Sequence, residues 1–281
     1  MMRRLGRASV ALAMLALAMP ASAYREGALV LQAGWFHLAP QESSEPLRTR
    51  LAPSVVGSLL GIDPDFTSEG TSTGVSNAHT PALTLSYYLT DHWVLKAEGG
   101  VPAEFDLYGD GVVRPTGLSG LLINVDLGAP ENNPIASARQ WSPAILLQRY
   151  FRDASARLRP YLGVGASYTW FTNVELKPAF SDALNRNFGR SLAVVTGNPG
   201  QTVVRGDSDS AWAPIVNAGL SYALTDRLSL SLSLSYLFLS TTSRITIEAA
   251  NGTRLAESTT ELDLGTAVSS LLLSWRWGGG D

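Results

Sequence analysis

Leu228-Ser-Leu-Ser-Leu-Ser-Leu-Ser-Tyr-Leu-Phe-Leu239 decides the fold. Successive side chains of a strand point to opposite faces. Leu228, Leu230, Leu232, Leu234, Tyr236 and Phe238 therefore share one face, and Ser229, Ser231, Ser233 and Ser235 share the other. At twelve residues, the run exceeds the usual ~5–6 of a soluble strand and fits the ~9–11 of a tilted membrane strand. The same period recurs in Ala82–Leu89, with Leu83, Leu85, Tyr87 and Leu89 opposite Thr84, Ser86 and Tyr88. It recurs in Leu158–Trp170, where Arg159, Tyr161, Gly163, Gly165, Ser167 and Thr169 fall together. Leu29–Leu38, Trp93–Val101, Ala144–Phe151, Ile215–Leu224 and Ala267–Trp277 bring the set to eight.

One face of these strands carries large aliphatic and aromatic side chains. The other carries Ser, Thr, Gly, Gln, Lys96, Glu98 and Arg159. An eight-stranded barrel has a narrow interior filled by side chains, so small polar residues suit the inside and large apolar ones suit lipid outside. A soluble lipocalin-like barrel would need the opposite polarity. Tyr168, Trp170, Trp93 and Trp275 stand near strand ends, where membrane barrels carry aromatic girdles. The connectors alternate. Thr90–His92, Arg152–Arg157 and Thr225–Arg227 are short, and each contains an Asp suited to a turn. Ala39–Thr80, Pro102–Ser142, Thr172–Asp209 and Ser243–Thr259 are long. The expectation is an all-β, eight-stranded antiparallel transmembrane barrel with short periplasmic turns, long extracellular loops and both ends of the chain in the periplasm.

The rest of the 281-residue chain agrees. There is no Cys and there are three His; Lys+Arg number 21 against 24 Asp+Glu, a net charge of −3. This excludes disulfide scaffolds and thiolate metal sites, and it lacks the basic excess of a nucleic-acid binder. Arg3, Arg4 and Arg7 precede an apolar run, Ala8–Ala18, and Ala21-Ser22-Ala23 is a small-residue cleavage site. Residues 1–23 thus read as a secretory signal peptide and 24–281 as the barrel domain.

Pro143-Ala-Ile-Leu-Leu-Gln-Arg-Tyr-Phe-Arg-Asp153 followed by Arg159-Pro-Tyr-Leu-Gly-Val-Gly-Ala-Ser-Tyr-Thr169 resembles the signature region of the outer membrane protein W (OmpW) family. Leu85-Ser-Tyr-Tyr-Leu-Thr-Asp91 and Gln32-Ala-Gly34 add to the resemblance, which spans about Glu26 to Trp277. It implies an eight-stranded barrel in the outer membrane of a Gram-negative bacterium, with a hydrophobic lumen open to the exterior that passes small hydrophobic molecules. The family includes alkane-import relatives. The partners implied are outer-membrane lipid, a small hydrophobic solute and the barrel-assembly machinery, with the chain a monomer or weak oligomer. The family usually ends on an aromatic that this machinery reads. Here Trp275-Arg276-Trp277 supplies the aromatics and Gly278–Asp281 follows.

No nucleophile, His and acid stand together as a catalytic set, and no cofactor or metal is implied. His79 with Ser76 is the nearest approach to one, and a solvated loop His is the plainer reading. Asp63-Pro-Asp65 and Asp207-Ser-Asp209 read as solvated acidic turns rather than Ca²⁺ loops. Lys96, Glu98, Gln148, Arg159 and Arg276 all lie near the periplasmic end of the inner face. Buried charges require partners, so they are expected to form one network, with Glu98 accepting from Lys96, Arg159 or Arg276, that closes the floor. Parity places Phe36, Leu38, Phe171, Leu237 and Leu239 inward at the outer rim as an apolar mouth. Pro102 and Pro143 stand at facing ends of adjacent strands. Proline donates no ladder hydrogen bond, so these two either end the strands or leave a lateral opening. The function this favours is passive uptake of small hydrophobic molecules with lateral release. The alternatives are a structural or interaction barrel whose loops bind surface partners, and a barrel hydrolase acting on lipid A.

Overall fold

The structure is a computed structural model that describes residues 26–53, 63–115, 124–197 and 199–277. The expected signal peptide and the Gly278–Asp281 tail lie outside the described residues. The first half of the chain forms β1 (Leu29–Ser44), β2 (Leu47–Leu51), β3 (Asp65–Ser68), β4 (Ser72–Val75), β5 (Ala78–Tyr88), β6 (Trp93–Gly100), β7 (Ala103–Asp110) and β8 (Val112–Val113). It continues through β9 (Val125–Asp126), β10 (Ala136–Trp141), β11 (Ala144–Tyr150) and β12 (Leu158–Leu176). A helical segment follows: α1 (Pro178–Leu184), one π turn (Asn185–Gly189) and α2 (Arg190–Val195). The chain ends with β13 (Thr202–Ser208), β14 (Ala211–Ala223), β15 (Leu228–Leu237), β16 (Ser240–Ala249) and β17 (Arg254–Trp277).

Eight of these strands close a ring. Antiparallel ladders run β1–β5, β5–β6, β6–β11, β11–β12, β12–β14, β14–β15 and β15–β17, and β17 returns to β1. Each of the eight runs read from the sequence lies mainly in one of these staves, although the stave ends differ by up to thirteen residues. Closure pairs the strand edges around the ring except for one short stretch described below, which an open sheet in lipid cannot do. The faces follow the alternation: Leu230, Leu232 and Leu234 are exposed on the outside while Ser229, Ser231, Ser233 and Ser235 are buried. Two belts of exposed aromatics ring the outer wall. Tyr87, Trp93, Phe151 and Trp275 mark the end with the short turns, and Trp35, Tyr168, Trp212 and Phe238 mark the other.

The four long connectors stand where long loops were expected, and they carry strands of their own that build a second storey above the belt. β1, β12 and β17 run on into it, β16 pairs with β13 and β17, β2 bridges β17 and β3, and β7 bridges β4 and β10. Phe66, Val125, Phe180, Leu184, Phe188, Leu192, Ile247 and Leu255 form its apolar core, with the helical segment packed inside it. β17 shows where the surroundings change. In its lower part Ser270 and Ser274 are buried while Leu271 and Leu273 are exposed; in its upper part Leu262 and Leu264 are buried while Glu261 and Asp263 are exposed. The alternation keeps its phase and the chemistry exchanges faces, as it must where lipid outside gives way to water.

Candidate functional site

The lumen is layered from the short-turn end upward. Lowest is an aromatic plug. Tyr150 stacks on Tyr161 at 4.7 Å between ring centroids and meets Tyr88 at 5.7 Å. The Arg159 guanidinium lies over the Tyr150 ring, 5.0 Å from its centroid, and donates through Nη2 to the Asp91 carbonyl. Sequence reading placed Tyr88 and Tyr161 on the inner face but did not single out Tyr150 or bring the three together as a plug. The signal available was their inward parity beside Gly219, where a Cβ would run into the Tyr161 ring.

Above the plug sit the polar residues. Lys96 Nζ contacts Glu98 Oε1 at 2.7 Å, with the Lys side chain 2% exposed and the Glu side chain 14%. Gln148 Nε2 donates to Asn217 Oδ1 (2.7 Å), and Asn217 Nδ2 donates to Ser235 Oγ (2.8 Å). Gln32 joins Thr84 and Ser274 in a similar chain across three staves. The single network expected is thus divided. Lys96 bridges to Glu98; Arg159 turns downward to Asp91 and Tyr150 instead. Arg276 stands half-buried on the inward parity of β17, with its backbone N–H donating to Arg227. The physical reason is height: strand parity fixes the face of a residue but not which of eight strands its side chain can reach.

Over the Glu98 carboxylate lies a cavity of about 310 Å³. Phe36, Leu38, Leu237, Ile215 and Val268 give it an apolar wall, and among the described residues Glu98 is the one ionisable residue that lines it. The expected mouth residues divide. Phe36 and Leu38 pack with Ala78, Ala103 and Phe105, whereas Leu237, Leu239 and Phe171 pack with Leu146, Ile215, Leu262 and Leu264. Phe171 lines a small void of about 30 Å³ one level higher, together with Leu262 and Leu264. Higher still, Leu107, Ile135, Leu176, Phe180 and Ile245 line another void of about 70 Å³ inside the second storey.

One side of the 310 Å³ cavity has no continuous wall. The β6–β11 ladder ends at the Glu98–Ala144 pair, and the β7–β10 ladder begins at Ala103–Gln140. Between them Gly99–Pro102 faces Trp141–Pro143 with no ladder pair. Val101 turns to the other neighbour, its N–H donating to the Pro81 carbonyl (3.4 Å) and its own carbonyl accepting from Thr80 Oγ1 (2.6 Å). The Pro143 carbonyl likewise turns away, accepting from Tyr168 N–H and Ser167 Oγ. Outside this seam, Pro81, Leu83, Val101, Pro102 and Trp141 shape a recess on the lipid-facing wall. Gly99, Gly100, Val101, Pro102 and Trp141 border both the recess and the cavity. Trp141 and Trp170 stack in parallel beside the seam, 5.8 Å between centroids.

The histidines and acidic pairs lie elsewhere. His79 does not meet Ser76. It stacks on His37 at 4.4 Å and accepts from Trp35 Nε1 at 3.3 Å, while Ser76 Oγ accepts from Asp106 N–H. His92 Nδ1 stands 3.1 Å from the Tyr150 carbonyl in a short turn. Asp65 pairs with Arg48 (2.6 Å) and Arg50 (3.6 Å), and Asp209 with Arg244 (3.6 Å).

Comparison with known proteins follows the same lines. The family model described as the OmpW family matches residues 25–277. "Outer membrane protein W" of Vibrio cholerae is 26% identical over 223 residues, which is 79% of each chain. The protein of that name from Salmonella typhi is 26% identical over 151 residues, 54% of this chain and 53% of the other. The crystal structure of the outer membrane protein OprG from Pseudomonas aeruginosa superposes with a TM-score of 0.67 at 16% identity, covering 92% of this chain and all of that one. At that identity the likeness is one of fold.

Proposed function

The chain belongs to the OmpW family and is a β-barrel of the Gram-negative outer membrane; from that premise we propose that it takes up small hydrophobic molecules passively and releases them sideways into the bilayer. One observation carries the reading: an apolar cavity adjoins a stretch of wall where two successive ladders lapse, and five residues border both the cavity and the lipid-facing recess. A solute entering from the second storey meets apolar side chains at three levels. It gains roughly 25 cal/mol for each Å² removed from water, which is enough for capture and weak enough for release. The tyrosine plug and the Lys96–Glu98 pair below give no comparable apolar continuation, so the exit is lateral. No reaction is assigned to the barrel. Its working partners are outer-membrane lipid and the solute.

The test is flux into liposomes of an apolar probe through the purified barrel. Gly99 borders cavity and recess, and a Cβ built there meets nothing within 4 Å. Gly99 shares the lipid-facing parity of Leu95 and Ala97, so Gly99→Phe should fill the recess outside the seam and stop flux without unfolding the barrel. Phe36→Asp with Leu237→Asp should wet the cavity and do the same. Folding is judged by heat-modifiable gel mobility. If both variants fold and carry the probe at the parent rate, the transport reading is wrong. The ordered second storey would then favour a barrel whose outer surface binds partners.

A further inference from the structure

We infer that the cavity behind the seam selects amphiphiles with one neutral hydroxyl head, such as a medium-chain primary alcohol, and that Glu98 is the residue that determines this. The inference rests on the uptake reading and names its substrate class. Among the described residues Glu98 is the one ionisable residue in the cavity wall. Its Oε1 takes Lys96 Nζ at 2.7 Å, and the pair is buried on the Lys side and open on the Glu side. An ionised carboxylate has about four acceptor positions, and the Lys96 contact occupies one.

Each of these neutral polar side chains of the wall already makes a hydrogen bond within the protein: Thr80 Oγ1 donates to the Val101 carbonyl, Gln140 Nε2 donates to Ser142 Oγ, Ser142 Oγ hydrogen-bonds Thr169 Oγ1, and Ser235 Oγ accepts from Asn217. Glu98 is thus the strongest open acceptor facing an otherwise apolar space. A pure hydrocarbon filling that space drives water off the carboxylate and returns nothing, which is costly for a charged acceptor. A hydroxyl donates one hydrogen bond to it and leaves the alkyl tail to run along Phe36, Leu237 and Val268 toward the seam. A fatty acid anion and an alkylammonium each give up the hydration of a full charge at a pair already neutralised by Lys96, and each gains little in return.

The experiment uses the full barrel in nanodiscs and measures radiolabelled 1-decanol, n-decane and decanoate retained in excess of empty nanodiscs, at equal concentration in the lipid. The parent should retain decanol over decane by about tenfold or more, the scale of a hydrogen bond to a charged acceptor, and should retain no excess decanoate. The paired variant Lys96→Met with Glu98→Leu removes the acceptor without stranding the lysine, and should bring the ratio of decanol to decane close to one while still retaining decane. As a check that needs no variant, the ¹³C carboxyl resonance of Glu98 should move with decanol and stay in place with decane. Equal retention of decanol and decane by the parent, a preference that survives in the paired variant, or a Glu98 resonance indifferent to decanol would each overturn the assignment. Failure of the parent to retain decane and decanol alike would instead sink the uptake reading itself.

Discussion

Glu98 and Arg159 share the inner face near the short-turn end of the barrel, yet they do not meet. Glu98 lies between Thr84 and Ala144 in the ladders, and the Arg159 head is drawn down to Asp91 and Tyr150. This separation sets the energetics. Glu98→Ala should strand the buried Lys96 and destabilise the barrel by about 3–5 kcal/mol, whereas Lys96→Met with Glu98→Leu should recover most of that. Arg159→Ala combined with Glu98→Ala should be additive, because the two share no partner; urea unfolding in lipid bilayers measures all four variants. Gly219 offers a second check. A Cβ there would collide with the Tyr161 ring and approach the Leu232 carbonyl at 2.7 Å. Gly219→Ala should cost about 1–3 kcal/mol by overpacking. Tyr161→Phe should not relieve it, because the ring carbon remains, while Tyr161→Leu should relieve the larger part. The same unfolding assay reads both pairs. At this scale the sequence was legible only in part. Parity placed the charges indoors and left Lys96, Arg159 and Arg276 all as partners for Glu98, because it does not say which side chains reach one another across the lumen; in the fold it is Lys96 that does.

At the scale of the element, alternation was the strong signal, and it worked because lipid rewards one face of every stave. Leu232 is outward near the middle of β15 and Ser231 is inward. Leu232→Arg should therefore cost about 2–4 kcal/mol if it falls at the bilayer midplane, and a spin label at 232, not at 231, should be reached by a lipid-soluble quencher. The second-storey strands escaped notice for a physical reason. Above the aromatic belt the alternation persists with inverted chemistry, Leu262 and Leu264 inside and Glu261 and Asp263 outside, so a search for apolar residues on the lipid face passes over it. The β2–β3 pair in that storey buries Leu51 and Phe66 in the apolar core and carries an exposed ion pair on its outer face. The Arg48 guanidinium hydrogen-bonds Asp65 and holds its carboxyl below the usual carboxylate range. Because the folded value is depressed, this contribution is present above the ordinary carboxylate pKa and is lost as pH falls through the lowered one. Acidification through that window should raise amide hydrogen exchange in 47–51 and 65–68, and Asp65→Asn should remove the pH dependence.

The whole molecule is two storeys on one set of strands, and its orientation is testable because it contains no native cysteine. Asn251→Cys in the β16–β17 turn should react with a membrane-impermeant maleimide on intact cells, and Asp226→Cys in the β14–β15 turn should react only after lysis; the reverse pattern would invert the barrel. The staves, their count and the alternation of short and long connectors were visible in the sequence. The seam was visible only as two prolines, because a lapse between ladders is a property of the paired strands, and neither strand shows it alone.

The ring is closed by its most distant members: β1 faces β17 over sixteen positions, from Leu29 opposite Trp277 to Ser44 opposite Leu262. In kinetic terms, that ladder has the largest contact order in the fold, and contacts of that kind form late. Until it forms, every partly assembled sheet presents two raw edges, each a template for the edge of another chain. Crowding of unfinished chains should then lower the yield of closed barrels while leaving the stability of those that close untouched.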